Sequence, residues 1–210
     1  CSLLAGTMAP KVQHTREAII QAGLEVVRAR GPAGLTARNI AERLGSSVQP
    51  IYRTFAAMDA LSAEVGAAAS RIALSYAREA EDEESAFLAI GLGYLEFSRA
   101  EPNLFHLLPA GGFRLWSPTG TDWPLFELLD KMRRDDFIAE LSEEALRRLL
   151  RDMFIYTHGL SALSPANPAR DDRDRERSLL RYVGGRLMAL AVLEERGEFS
   201  FEAMTRRFHT

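Results

Sequence analysis

GSSVQPIYRTF, Gly45 to Phe55, sets a proline where the middle of a short helix ought to be. Ser47 is a good N-cap residue, and with the cap there Pro50 falls at the third helical position. An N–H in that first turn has no intrahelical partner, so the proline removes nothing and the helix survives. Val48, Ile51 and Phe55 then share one face for packing, while Gln49, Pro50, Tyr52 and Arg53 point outward. Upstream, Thr36 caps a second helix, with Leu35 and Ile40 placed as a hydrophobic staple. Ile40, Ala41 and Leu44 form its buried stripe, and Gly45 ends it. Further back, Thr15 caps a helix with Ile19, Ala22, Val26 and Val27 at helical spacing, stopped by Gly31-Pro32.

Two short helices, a tight glycine-containing turn and an outward face of amide, phenol and guanidinium groups describe a helix-turn-helix reader of nucleic acid. Gln pairs with adenine edges, Arg with guanine edges or phosphate, and a tyrosine hydroxyl with phosphate. The same pattern also fits an ordinary αα-corner with a solvated polar face.

Charge separates this head from the rest. The chain has 210 residues and a formal net charge of −3. From Met8 to Ala60 the bases Lys11, Arg16, Arg28, Arg30, Arg38, Arg43 and Arg53 face the acids Glu17, Glu25, Glu42 and Asp59, a net of +3, so the remainder carries −6. A basic head on an acidic body is expected when only the head meets phosphate. With 47% apolar residues, the chain suits a small domain joined to a larger one. No apolar run approaches the roughly 20 residues that span a bilayer, so no membrane partner is expected. The one cysteine, Cys1, leaves no internal disulfide framework and fits a cytoplasmic setting. Cys1 to Thr7 are expected to be a remnant ahead of a native start at Met8, the alternative being a lipidated N-terminal cysteine, for which no basic or apolar signal segment is present.

The stretch TREAIIQAGLEVVRARGPAGLTARNIAERLGSSVQPIYRTFAAMDAL, Thr15 to Leu61, resembles the DNA-binding head of the TetR family of bacterial transcriptional regulators. The shared features are the Ala-rich first helix ending in Gly, the Thr before the second helix, Ile40-Ala41, Gly45, Ile51-Tyr52-x-x-Phe55 and Leu61. The resemblance implies an all-α fold, with a helix-turn-helix head over residues 8–60 and a larger ligand-binding and dimerisation domain over residues 61–210. It sets the candidate DNA contacts at Thr36, Arg38, Ser46, Ser47, Val48, Gln49, Pro50, Tyr52, Arg53 and Thr54, with Thr36 and Tyr52 matching phosphate-holding positions. The chain departs from the family at Thr54, where a histidine is frequent, and at Met58, where a lysine usually opens the fourth helix and touches phosphate.

Beyond the head the chain reads as helices. They are expected over 59–81, with Leu61, Val65, Ile72 and Tyr76 on one stripe, and over 85–100, with Phe87, Ile90, Tyr94 and Phe97, before a restart at Pro102. Further helices are expected over 124–138, 142–163 and 177–196, with a solvated connection over 164–177. PAGGFRLWSPTGTDWP, Pro109 to Pro124, breaks the rhythm and serves either as a pocket lid or as a loop closing one end of the core. Candidate effector-pocket residues are Tyr94, Phe97, Phe105, Trp116, Met153, Phe154, Thr157 and His158. A pocket so lined favours a mostly apolar small molecule with one or two polar groups. Gly184-Gly185 and Ala189-Ala191 allow close helix approach, compatible with the homodimer that the family makes through its last two long helices.

The expected function is a regulator released from palindromic double-stranded operator DNA by a small effector, with no cofactor. The rival is a TetR-like binding or adaptor protein that has lost DNA reading. An enzyme is not expected: there is no G-x-S-x-G, P-loop or nucleotide fingerprint, and His14, His106, His158 and His209 lack local metal-binding partners.

Overall fold

The computed structural model describes residues 14–82, 84–108, 124–163 and 172–200, and every regular element among them is a helix. The head comprises α1 (Arg16–Arg30), a 3-10 turn (Pro32–Gly34), α2 (Ala37–Arg43) and α3 (Gln49–Thr54). α4 (Met58–Glu79) runs from the head into the body. The body continues with α5 (Ala86–Ala100), α6 (Pro102–Leu107), a 3-10 turn (Pro124–Leu128), α7 (Leu129–Met132), α8 (Glu143–Leu163) and α9 (Arg173–Glu195).

The head caps form where the sequence places them, with one exception. Thr15 Oγ1 accepts from Ala18 N at 3.1 Å, and Thr36 Oγ1 from Asn39 N at 3.2 Å. α2 ends in a Schellman motif: Ser46 N donates to Ala41 O and Gly45 N to Glu42 O, with Gly45 at φ 61°. That left-handed conformation turns the chain abruptly toward α3, and a side chain there would strain it. The exception is α3. Its N-cap is Val48, one residue beyond Ser47, without a side-chain cap bond, and Pro50 sits at the second helical position. The first-turn argument for Pro50 is unaffected by the shift. Ile51 and Phe55 are buried as expected, but Val48 is 38% exposed, because at the cap it lies outside the helical stripe.

The head core of Ile19, Val26, Val27, Ile40, Ile51 and Phe55 continues through Leu61 and Val65 of α4 into the body. There α5, buried along Phe87, Ile90, Tyr94 and Phe97, packs on α4, α8 and α9.

The expected helix over 124–138 is instead a 3-10 turn, the four-residue α7 and a run of turns. Its polar side chains cap other helices. Lys131, almost wholly buried, donates from Nζ to Ala77 O (3.2 Å), Arg78 O (2.9 Å) and Ala80 O at the end of α4, and burial lowers its pKa. Asp135 accepts from Ser85 Oγ (3.0 Å), Ala86 N (2.9 Å) and Phe87 N (2.7 Å) at the start of α5. A carboxylate at a helix N-terminus and an ammonium at a C-terminus both suit the helix dipole. One continuous helix would give up these caps, so tertiary demand overrides the local periodicity. α9 begins at Arg173, a turn before the expected start, so part of the expected connection over 164–177 is helical.

Candidate nucleic-acid interface

The candidate DNA contacts fall on three successive pieces of chain: the start of α2, the turn, and α3. Thr36 and Arg38 are exposed at the start of α2. Thr36 Oγ1 is an acceptor in its cap, so its hydroxyl proton stays available for a phosphate oxygen. In the turn, Ser46 is half-buried and donates to Ser47 O at 3.1 Å, while Ser47 and Val48 are exposed. On α3, Gln49, Tyr52 and Arg53 face solvent, with Tyr52 54% exposed, and Pro50 is half-buried. Thr54 is half-buried and its hydroxyl donates back to Pro50 O at 3.0 Å, which leaves it only acceptor capacity.

Electrostatics sharpen this surface in a way no charge count reveals. Arg16 pairs with Glu64, Arg28 with Glu101 at 2.8 Å, Arg30 with Glu42 at 3.2 Å, and Arg43 with Glu25. Among the described residues of the head, Arg38 and Arg53 are the arginines without a carboxylate partner. The net positive charge is thus free at the start of α2 and on α3, while the other four guanidiniums hold helices together.

The body contains a small, partly open cavity. Ala77, Ile90, Gly91, Tyr94, Leu125, Leu150, Met153, Phe154 and Thr157 line it, and its volume is about 20 Å³, room for about one water. Four of the expected pocket residues, Tyr94, Met153, Phe154 and Thr157, are therefore brought together. Phe105 and His158 stand one layer out: Tyr94 Oη lies 2.9 Å from His158 Nδ1, and the Phe105 and His158 rings are 4.9 Å apart. Phe97 is fully buried against Tyr76 (5.7 Å) and belongs to the core. Trp116 and residues 109–123 of the candidate lid lie outside the described residues.

Sequence reasoning missed Ala77, Ile90, Gly91, Leu125 and Leu150, since small and aliphatic residues on a helical stripe carry no mark that separates cavity wall from core. The polar atoms here are already satisfied. Thr157 Oγ1 donates to Met153 O at 2.8 Å, and burial raises the Tyr94 pKa, keeping its phenol protonated to donate to His158. Burial also lowers the His158 pKa, which favours the neutral ring that can accept this bond. The cavity therefore presents almost only hydrocarbon. Among the described residues no cluster of His, Cys, Asp or Glu could hold a metal ion, and no helix is long and apolar enough to cross a membrane.

Residues 19–65 match the family model described as bacterial regulatory proteins, tetR family. No curated protein matches the chain. Among solved structures, the chain is similar to the transcriptional regulator SCO7222, a TetR from Streptomyces coelicolor, at 20% identity over 84% of this chain and 98% of that one, with a TM-score of 0.60. It is similar to BioQ in complex with its double-stranded DNA operator at 19% identity, covering 83% and 98% of the two chains, with a TM-score of 0.54. A TetR variant from Acinetobacter baumannii AYE in complex with minocycline is 18% identical over 88% and 99%, with a TM-score of 0.56. At such identities these likenesses speak to the fold. Fold and matched head together define a helix-turn-helix DNA-binding protein with a helical body. Residues 19–65 thus form a head of the kind found in bacterial regulatory proteins of the tetR family, joined to a helical body of the same fold as those solved structures.

Proposed function

We propose that the chain is a ligand-responsive repressor that binds a palindromic operator as a homodimer and leaves it when a small, mostly apolar effector enters the body. Residues 8–60 read DNA, and residues 61–210 bind effector and dimerise. The observation that carries the reading is the pairing pattern of the head arginines, which leaves Arg38 and Arg53 free beside exposed Gln49 and Tyr52. Gln49 contacts base edges, Arg53 meets base edges and the phosphates beside them, and Thr36, Arg38 and Tyr52 hold phosphate.

Geometry and an open face support dimerisation. Two recognition helices reach successive major grooves only when held about 34–36 Å apart, which a two-fold dimer supplies. α8 and α9 carry exposed Ile155, Leu163, Tyr182 and Leu193. A Cβ at Gly159 or Gly185 would meet nothing within 4 Å, whereas one at Gly184 would point inward, 3.4 Å from Met153 Cε. In the proposed dimer the glycine pair divides its work: Gly184 seats α9 on α8, and Gly185 lies on the face offered to the partner.

The effector acts by differential binding. A cavity with room for about one water does not admit a drug-sized molecule, so the effector binds only a state in which Leu125, Met153 and Phe154 have moved apart. Ala77 of α4 lines the same cavity, so opening it displaces the helix that carries the head. The coupling is about 1–3 kcal/mol, the usual range for such linkage. The similar proteins held with operator DNA and with minocycline support the two halves of this reading. Selection of bound fragments from random duplex DNA, with the Arg53→Ala, Tyr52→Phe double variant as control, tests it. A palindrome enriched by the parent and not by the variant is expected; no enrichment with a dimer present in solution would refute DNA reading.

A further inference from the structure

Arg16, in the first turn of α1, reaches the far end of the recognition helix. Its guanidinium carbon lies 4.4 Å from the centroid of the Phe55 ring, and Nη1 is 3.4 Å from Thr54 O. Nε donates to Glu64 Oε2 at 2.9 Å while Nη2 pairs with Glu64 Oε1, so one side chain touches α1, the end of α3 and the second turn of α4. These contacts matter because α3 has only six residues, far below the length at which a helix holds itself in water. Its last carbonyls have no intrahelical partners, and Arg16 addresses one of them while covering the ring that anchors the helix.

We infer that Arg16 is a positioning residue for operator reading: with Glu64 it pins the C-terminal end of α3 to α4 and does not itself contact phosphate. The inference rests on the DNA-reading function proposed above and deepens it, because it gives any displacement of α4 a direct hold on the base-facing helix. The competing role, a phosphate contact, makes the opposite demand on Glu64. If Arg16 serves phosphate, its carboxylate partner competes with DNA; if Arg16 serves α3, the carboxylate aids binding.

The test is Glu64→Gln, which keeps shape and removes the charge, alongside Arg16→Met, with hydrogen exchange of the free protein and binding to a duplex selected by the parent. Exchange at the Tyr52 to Phe55 amides should quicken by at least about threefold in both variants while α5 and α8 amides stay as in the parent. Both variants should bind the selected duplex about threefold to tenfold more weakly, with an unchanged salt slope. Unchanged α3 exchange overturns the pin whatever the DNA result. Tighter binding by Glu64→Gln, or a slope shallower by about 1.8 per dimer in Arg16→Met, overturns the positioning role in favour of a phosphate contact. A parent that selects no duplex defeats the DNA-reading proposal instead, and the exchange measurement still decides whether Arg16 and Glu64 hold α3.

Discussion

The salt dependence of operator binding can be worked out from the ion pairs of the head. Each neutralised phosphate releases counterion and contributes about −0.9 to the slope of log Kobs against log salt. Counting every base from Met8 to Ala60 would give fourteen contacts in a dimer and a slope of about −12.6. Four of those seven bases, Arg16, Arg28, Arg30 and Arg43, are held by carboxylates. An arginine that keeps its carboxylate on the complex neutralises no phosphate, and the slope shows whether these pairs, three of them exposed, are kept. Arg38 and Arg53 remain, four contacts per dimer, for a slope of about −3.6; Lys11, outside the described residues, brings it to at most about −5.4. Between 50 and 200 mM salt the affinity should therefore fall by about 150-fold to about 2,000-fold. Fluorescence anisotropy of a labelled duplex carrying the enriched site, titrated across that range, measures the slope directly. A value steeper than about −7 would show that the paired arginines give up their carboxylates to DNA, and would refute the division of the head cations drawn here.

Three further outcomes are expected. Met58→Lys adds a cation at the start of α4 and should steepen the same slope by about 0.9 for each head; an unchanged slope would mean that this position does not reach phosphate. Gly93→Ala drives a methyl into the α4 backbone, against Tyr76 O and within 2.8 Å of Ala77 Cα, and should destabilise the fold by about 1–3 kcal/mol or more in urea unfolding, since a backbone cannot step aside as a side chain can; a neutral result would show that α4 and α5 separate freely. His158 titrates below its ordinary value of 6.5 because it is buried, so the folded state binds fewer protons than the unfolded one and stability rises with pH. Stability should fall as the pH drops from about 6.5 through the lower folded value, and His158→Gln should flatten that fall in urea midpoints taken across the range; an equal fall in both proteins would remove His158 as its source.

The head was legible because its signals are local. Thr15, Thr36 and Gly45 act within three or four residues of themselves, and the apolar periodicity of Ile19 to Val27 and of Ile51 and Phe55 says which face is buried. The long body helices were legible for the same reason, Ser142 included, whose hydroxyl accepts from Ala145 N at 3.3 Å. What escaped depends on contacts between distant residues. Glu64 and Glu101 lie 48 and 73 residues from the arginines they neutralise, so a charge count over the head overstates what DNA can meet. Asp135 and Lys131 read as part of an amphipathic helix, yet they cap helices about fifty residues upstream, and that use breaks the segment into turns. The cavity was half legible: aromatic and polar marks on α5 and α8 drew attention to Tyr94, Met153, Phe154 and Thr157, while Leu125 enters from the separate turn before α7 and has no such mark.

The specificity ratio tests the account most directly: the affinity of the parent for an enriched palindromic duplex divided by its affinity for a scrambled duplex of equal length at one salt concentration, set beside the same ratio for the Arg53→Ala, Tyr52→Phe variant. Operator reading through α3 predicts a parent ratio of at least about 10³ and a variant ratio lower by at least tenfold, about 1.4 kcal/mol. A parent ratio near one, or a variant that keeps the parent's ratio, would contradict it.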